Sequence, residues 1–188
     1  MRHRVLGALA LPMILLAQCT PDGCAPPPPP PLFGDGTVLV GTDVPPGIYR
    51  ATSPAVCHWA RMGPGPGGPE VIVQKAIAFR STHIVEIEAT DVAFRSTGCN
   101  GWAPDGPRAP VDAIGQGDWA VGNELPPGRW QSAPGTTGCR WERASGFTHE
   151  PSEIIASGSS DGPAVVDVAP TDVRFTVNDC GAWTRVSG

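Results

Sequence analysis

The chain has 188 residues, and a quarter of them are glycine (24) or proline (23). A glycine or a proline inside a helix costs about 1 or 3 kcal/mol respectively, so a large helical domain is excluded. Short strands, turns and covalent cross-links are expected instead. The formal charge is -5, Lys75 is the one lysine, and no basic stripe is present, which excludes nucleic-acid binding resting on phosphate neutralisation.

Met1–Arg4 is a short basic start, and the thirteen residues Val5–Ala17 are apolar. As a helix they span about 20 Å, short of the roughly 30 Å membrane core. Residues 1–18 therefore read as a secretory signal peptide. Losing Arg2 and Arg4 with it takes the charge from -5 to -7. Leu16-Ala17-Gln18-Cys19 resembles the lipobox of bacterial lipoproteins, although Gln18 stands where that pattern has Gly, Ala or Ser. The resemblance implies that Cys19 carries a diacylglyceryl anchor and attaches the chain to the membrane. The alternative is ordinary cleavage nearby, with Cys19 and Cys24 free or bridged to each other. Residues 19–33 read as a Cys/Pro-rich stalk. The unbroken run Pro26–Pro31 favours extended polyproline II, so the stalk spans about 40 Å. The rival use of such a run is as an SH3-like or WW-like ligand.

Beyond the stalk, one unit is written twice at an offset of 81 residues, with a one-residue insertion at Gly138. Shared positions include Pro45/Pro126, Pro46/Pro127, Gly47/Gly128, Cys57/Cys139, Trp59/Trp141, Arg61/Arg143, Asp91/Asp172, Phe94/Phe175, Cys99/Cys180 and Trp102/Trp183. The units are placed at 34–102 and 117–186, joined by a Pro/Gly-rich linker, 103–116. The predicted strands in unit 1 are Thr37–Val40, Ile48–Ala51, Val56–Ala60, Val71–Val73, Val85–Glu88 and Val92–Phe94. Their unit 2 counterparts include Ile154–Ile155, Val166–Val168 and Val173–Phe175. Val44-Pro45-Pro46-Gly47 is a predicted turn, Gly63–Pro69 and Ser145–Pro151 are loops, and Val71–Phe79 is the one helical candidate. Short strands at this spacing predict an all-β chain of two tandem small antiparallel sandwich or barrel-like domains.

A unit this short buries too little surface to be stable unaided. Each holds two cysteines at equivalent positions, and only the pairing Cys57–Cys99 with Cys139–Cys180 respects the repeat. Zinc is the competing use of four cysteines, but Cys-x-x-Cys spacing is absent. No cofactor or metal is expected. The GTxLVGxDxPPGxY start, the CxWxR centre and the TDVxFxxxGCxxW end resemble a repeat of exported and lipid-anchored bacterial envelope proteins. The resemblance covers Gly34–Val186. It supports β structure and the disulfides and carries no catalytic residue over.

Candidate chemistry is sparse. Gly158-Ser159-Ser160-Asp161-Gly162 matches the nucleophile-elbow pattern, but the parallel sheet that lifts such a serine is not predicted. His58, His83 and His149 have no counterpart in the other copy and read as exposed polar positions. Glu86/Asp167 and Asp43/Glu124 recur as acids and read as a solvated face, with weak room for calcium or recognition. Asp91/Asp172 read as turn locks, and Arg61/Arg143 as partners of an acid or of Trp59/Trp141. The recurring aromatics Tyr49/Trp130 and Trp102/Trp183 are the binding candidates, as a platform for an envelope glycan or protein; their other use is packing on the disulfides. The reading is a non-catalytic binding or structural module, exported and lipid-anchored outside the cytoplasm. The alternative is a secreted hydrolase of envelope polymers using Ser160 or Glu86 with Asp167.

Overall fold

The structure, a computed structural model, describes residues 19–20, 23–24, 32–65, 68–135 and 137–186. The predicted signal peptide and the proline run Pro26–Pro31 lie outside the described residues, as do the side chains of Cys19 and Cys24. The backbones of β1 (Cys19–Thr20) and β2 (Gly23–Cys24) form a short antiparallel pair with Cys19 opposite Cys24.

Repeat 1 holds β3 (Gly36–Leu39), β4 (Gly47–Thr52), β5 (Val56–Gly65), β6 (Gly68–Phe79), β7 (Thr82–Ile87), β8 (Ala93–Thr97) and β9 (Ala103–Pro104). Repeat 2 holds β10 (Ala113–Ile114), β11 (Gly117–Ala120), β12 (Gly128–Ser132), β13 (Cys139–Ala144), β14 (Ile154–Ser160), β15 (Val165–Val168), β16 (Arg174–Asn178) and β17 (Trp183–Arg185). In repeat 1 a four-stranded sheet, β3-β8-β5-β6, faces a smaller sheet of β9, β4 and β7. In repeat 2 the four-stranded sheet β14-β13-β16-β11 faces β10-β17-β12-β15. The two copies are fused edge to edge, because β11 meets β7 in parallel at Gly117 and Thr82. A seven-stranded sheet, β14-β13-β16-β11-β7-β4-β9, therefore runs through both repeats.

Each repeat buries one core of matched residues. Val44, Tyr49, Val85, Ile87, Phe94 and Trp102 in repeat 1 correspond to Leu125, Trp130, Val166, Val168, Phe175 and Trp183 in repeat 2. The disulfides Cys57–Cys99 and Cys139–Cys180 lie in these cores and close separations of 42 and 41 residues. On a chain-entropy argument each contributes about 4 kcal/mol.

The recurring acids of the first turn have a common local role. Leu39 N–H donates to Asp43 Oδ2 at 2.8 Å, and Ala120 N–H donates to Glu124 Oε1 at 3.2 Å. Each lock closes a turn through Gly41 or Gly122, at φ +82° and +78°, a conformation that only glycine adopts freely. The Thr-Asp-Val turns are locked the same way, by Glu88 N–H on Asp91 and Ala169 N–H on Asp172.

Two expectations change. Val71–Phe79 is strand, not helix, because β6 pairs with β5 along nearly its whole length. The loop placed at Gly63–Pro69 is largely absorbed into that hairpin, since β5 runs to Gly65 and β6 starts at Gly68. The stretch 103–116 also does more than separate the copies. It gives β9 to repeat 1 and β10 to repeat 2. Ile114 sits opposite Trp183 as Phe33 sits opposite Trp102, so the duplication extends back to those residues.

Candidate functional site

The aromatic binding candidates lie inside. Tyr49, Trp102, Trp130 and Trp183 are all buried, so they form no exposed platform, and packing around the disulfides is their role. Tyr49 Oη donates to Pro45 O at 2.7 Å, and Trp130 Nε1 donates to Pro126 O at 3.1 Å. The Tyr/Trp exchange thus keeps one bond, from the ring to the Pro-Pro-Gly turn. Phe94 and Phe175 set their edges against Trp102 and Trp183 at 5.1 and 5.3 Å.

The hydrolase candidates do not converge. Ser160 Oγ donates to Gly162 O at 2.9 Å and accepts from Gly162 N–H at 3.1 Å. It ends the antiparallel strand β14, whereas an elbow needs a strand-to-helix turn. Glu86 lies on β7 of repeat 1, and Asp167 on β15 of repeat 2, where it pairs with the exposed Arg129. Ser81 Oγ lies 3.2 Å from His83 Nε2, but both residues are buried. No group of three His, Cys, Asp or Glu among the described residues is placed to hold a cation.

What the structure assembles is the joint between repeats. The loop after β13 folds over the free edge of β7, where Glu86 N–H donates to Phe147 O at 2.9 Å. The His149 ring nitrogen Nε2 lies 2.8 Å from Ile84 O. Asp118 on β11 accepts from Ile84 N–H at 3.0 Å and from Thr176 Oγ1 at 2.7 Å. Ile84, Ala120 and Phe147 close a small apolar core there. Arg50 bonds Asp105 at 2.7 Å and Glu124 at 2.5 Å, crossing from repeat 1 to repeat 2 with all three residues nearly dry. Arg61 donates to Asp91 at 2.8 Å, to Glu88, and across the joint to Thr148 O at 3.2 Å. The His149 imidazole sets its edge on Trp59, with centroids 5.1 Å apart.

Residues 31–103 and 112–184 each match the Rv1352-like extracellular domain. The chain belongs to this family. Its two copies keep the 81-residue offset of Phe33 and Ile114, and as an extracellular domain pair the protein is exported. Comparison with curated proteins and with solved structures gives no match. Among the described residues no helix is long and apolar enough to cross a membrane.

The joint between the two Rv1352-like domains is charged as well as apolar. Burial alone would raise the Asp118 carboxyl. The facing His149, its bond to that ring, and the nearby Arg174 and His83 outweigh burial and hold the carboxyl well below the usual range. Burial holds the His83 imidazole below its ordinary value, against the opposing pull of Asp118. Arg61 is held above its ordinary range because Asp91 and Glu88 outweigh its desolvation. Buried Arg174 bonds Glu142 at 2.7 Å beside this cluster.

His83 and His149 are therefore joint residues and not exposed polar ones; of the three described histidines, His58 is the exposed one. Of the acids placed on a solvated face, Asp43 and Asp167 are exposed, Glu86 is half-buried at the joint and Glu124 is buried there. Sequence comparison of the copies misses much of this site, because Arg61 and Trp59 recur as Arg143 and Trp141 while the groups that meet them across the joint do not recur. Asp118 stands against Thr37, Arg50 against Gln131, His83 against Ala164, and Phe147 against Gly65.

Proposed function

We propose that this exported protein is a non-catalytic interaction module, anchored through a lipid on Cys19 and carried clear of the membrane on its proline stalk. The observation that supports a docking role is the joint itself. The β7 edge of one Rv1352-like domain takes a segment of the other by main-chain bonds, a buried arginine and an aromatic contact. Such a surface recognises protein through backbone groups and a few side-chain anchors. Acyl-mass analysis of the detergent phase tests the anchor: wild type carries the acyl increment, and Cys19→Ala leaves the detergent phase. Binding of the mature chain to cell-wall, glycan and envelope-protein arrays tests the role. Absence of binding to all three overturns it.

A further inference from the structure

We infer that repeat 2 carries an open docking seat for an extended segment of another protein, formed by the outer edge of β15 with Trp141 and Arg143. The inference rests on the interaction-module reading and names its site and partner class. The template lies within the chain. At the corresponding place in repeat 1, Phe147–Glu150 is seated. Glu86 N–H holds Phe147 O, Ile84 O meets His149, Arg61 Nη1 holds Thr148 O, and Trp59 carries the imidazole edge. Glu150 adds a carboxylate 3.7 Å from Arg61.

Each receiving position recurs in repeat 2, as Asp167, Val165, Arg143 and Trp141. There the positions are uncovered. Val165 is 54% exposed where Ile84 is 0%. The Arg143 side chain is 21% exposed where Arg61 is 0%. Trp141 is half-buried where Trp59 is buried. Arg143 spends Nε and Nη2 on Asp172, at 2.6 and 2.9 Å. Its Nη1 is the counterpart of the nitrogen with which Arg61 grips Thr148. β15 is the outermost strand of its sheet, so the main-chain groups of Val165 and Asp167 face outward, as those of Ile84 and Glu86 do before the loop covers them.

The occupant is defined by the same chemistry. It is an extended segment offering a carbonyl to Asp167 N–H and another to Arg143. It sets an imidazole or aromatic edge on Trp141 and places an acid beside Arg143. A second copy of this chain does not supply it, because its own Phe147–Glu150 is already seated on its repeat 1 and its repeat 1 loop has Gly65 and Gly67 where Phe147 and His149 stand. The open seat lacks one donor, since Ala156 replaces the Gln74 that bonds His149 O.

The probe is a capped peptide of residues 146–152, titrated into the isotopically labelled mature chain and followed by NMR. Saturable shifts are expected at the Trp141 indole, the Arg143 Nε–H and the amides of Val165 and Asp167, with Kd on the order of 1 mM. Trp141→Ala should weaken binding tenfold or more. Asp167→Pro, an edge-strand change that deletes the donor, should do the same while leaving the thermal unfolding profile of the protein intact. No shift at these positions overturns the seat, as do shifts that both variants leave unchanged. Shifts caused there by a peptidoglycan fragment and not by the peptide also overturn it. Envelope-protein binding that survives both variants removes the seat and leaves the broader reading standing.

Discussion

Gly36 and Gly117 are one position in two repeats, at φ +123° and +120°. A methyl group added at Gly36 meets nothing within 4 Å, whereas at Gly117 it lands 2.4 Å from Thr82 O and 2.6 Å from Thr82 N. Alanine therefore brings the same backbone strain to both sites, about 1–3 kcal/mol. Only at Gly117 does it collide with backbone, which cannot rotate aside as a flexible side chain can. β7 and β11 must separate, and overpacking of this kind adds about 1–3 kcal/mol. Gly36→Ala should thus lose about 1–3 kcal/mol and Gly117→Ala about 2–6 kcal/mol. Urea unfolding followed by tryptophan fluorescence measures the difference. Hydrogen exchange locates it: the Ile84 and Glu86 amides, which donate to Asp118 and Phe147, should lose protection in Gly117→Ala and keep it in Gly36→Ala. Equal losses with equal protection would refute the joint as the source.

Asp118→Asn should cost about 3–5 kcal/mol at neutral pH, because it breaks a buried charge cluster. The lowered Asp118 carboxyl contributes stability that is present above its unfolded value of 3.8 and lost as the pH falls below it, so wild type and variant should converge in acid denaturation curves. His83 is held below its ordinary value of 6.5. Its contribution is complete above that pH and lost on acidification through it, and His83→Gln should remove this part of the stability–pH profile between pH 7.5 and 5. Replacing Cys57 and Cys99 together by alanine should cost about 4 kcal/mol, read as a lowered urea midpoint with the Cys139–Cys180 bridge still present on a non-reducing mass map.

The strands and both disulfides were legible because they are written twice. Where Cys57, Trp59 and Arg61 recur as Cys139, Trp141 and Arg143, the shared residues are those the fold itself needs. The same comparison conceals the joint. Phe147, His149, Asp118 and Arg50 serve a contact that exists once; the histidine's lack of a counterpart read as lack of a role, and the other three carried no repeated signal at all. The aromatics were legible as a set but not in direction: alternation puts Cys and Trp on one face without saying whether that face meets core or solvent. Their burial follows from the second sheet in each repeat, which closes over them. The β6 strand was ambiguous because an apolar run of that length fits a strand or a helix until its partner is known.

The Phe147–Glu150 loop gives the pair of domains an order that cannot be reversed. Repeat 1 is a socket and repeat 2 carries the plug, although both share one architecture. If residues 112–186 were fused ahead of 32–103, β15 would become the receiving edge and Gly65 and Gly67 would arrive to fill it. The apolar and imidazole groups would be missing, and Asp118 and Arg174 would lose the cover they now have. The two halves of this chain are thus similar in shape and unlike in vocation.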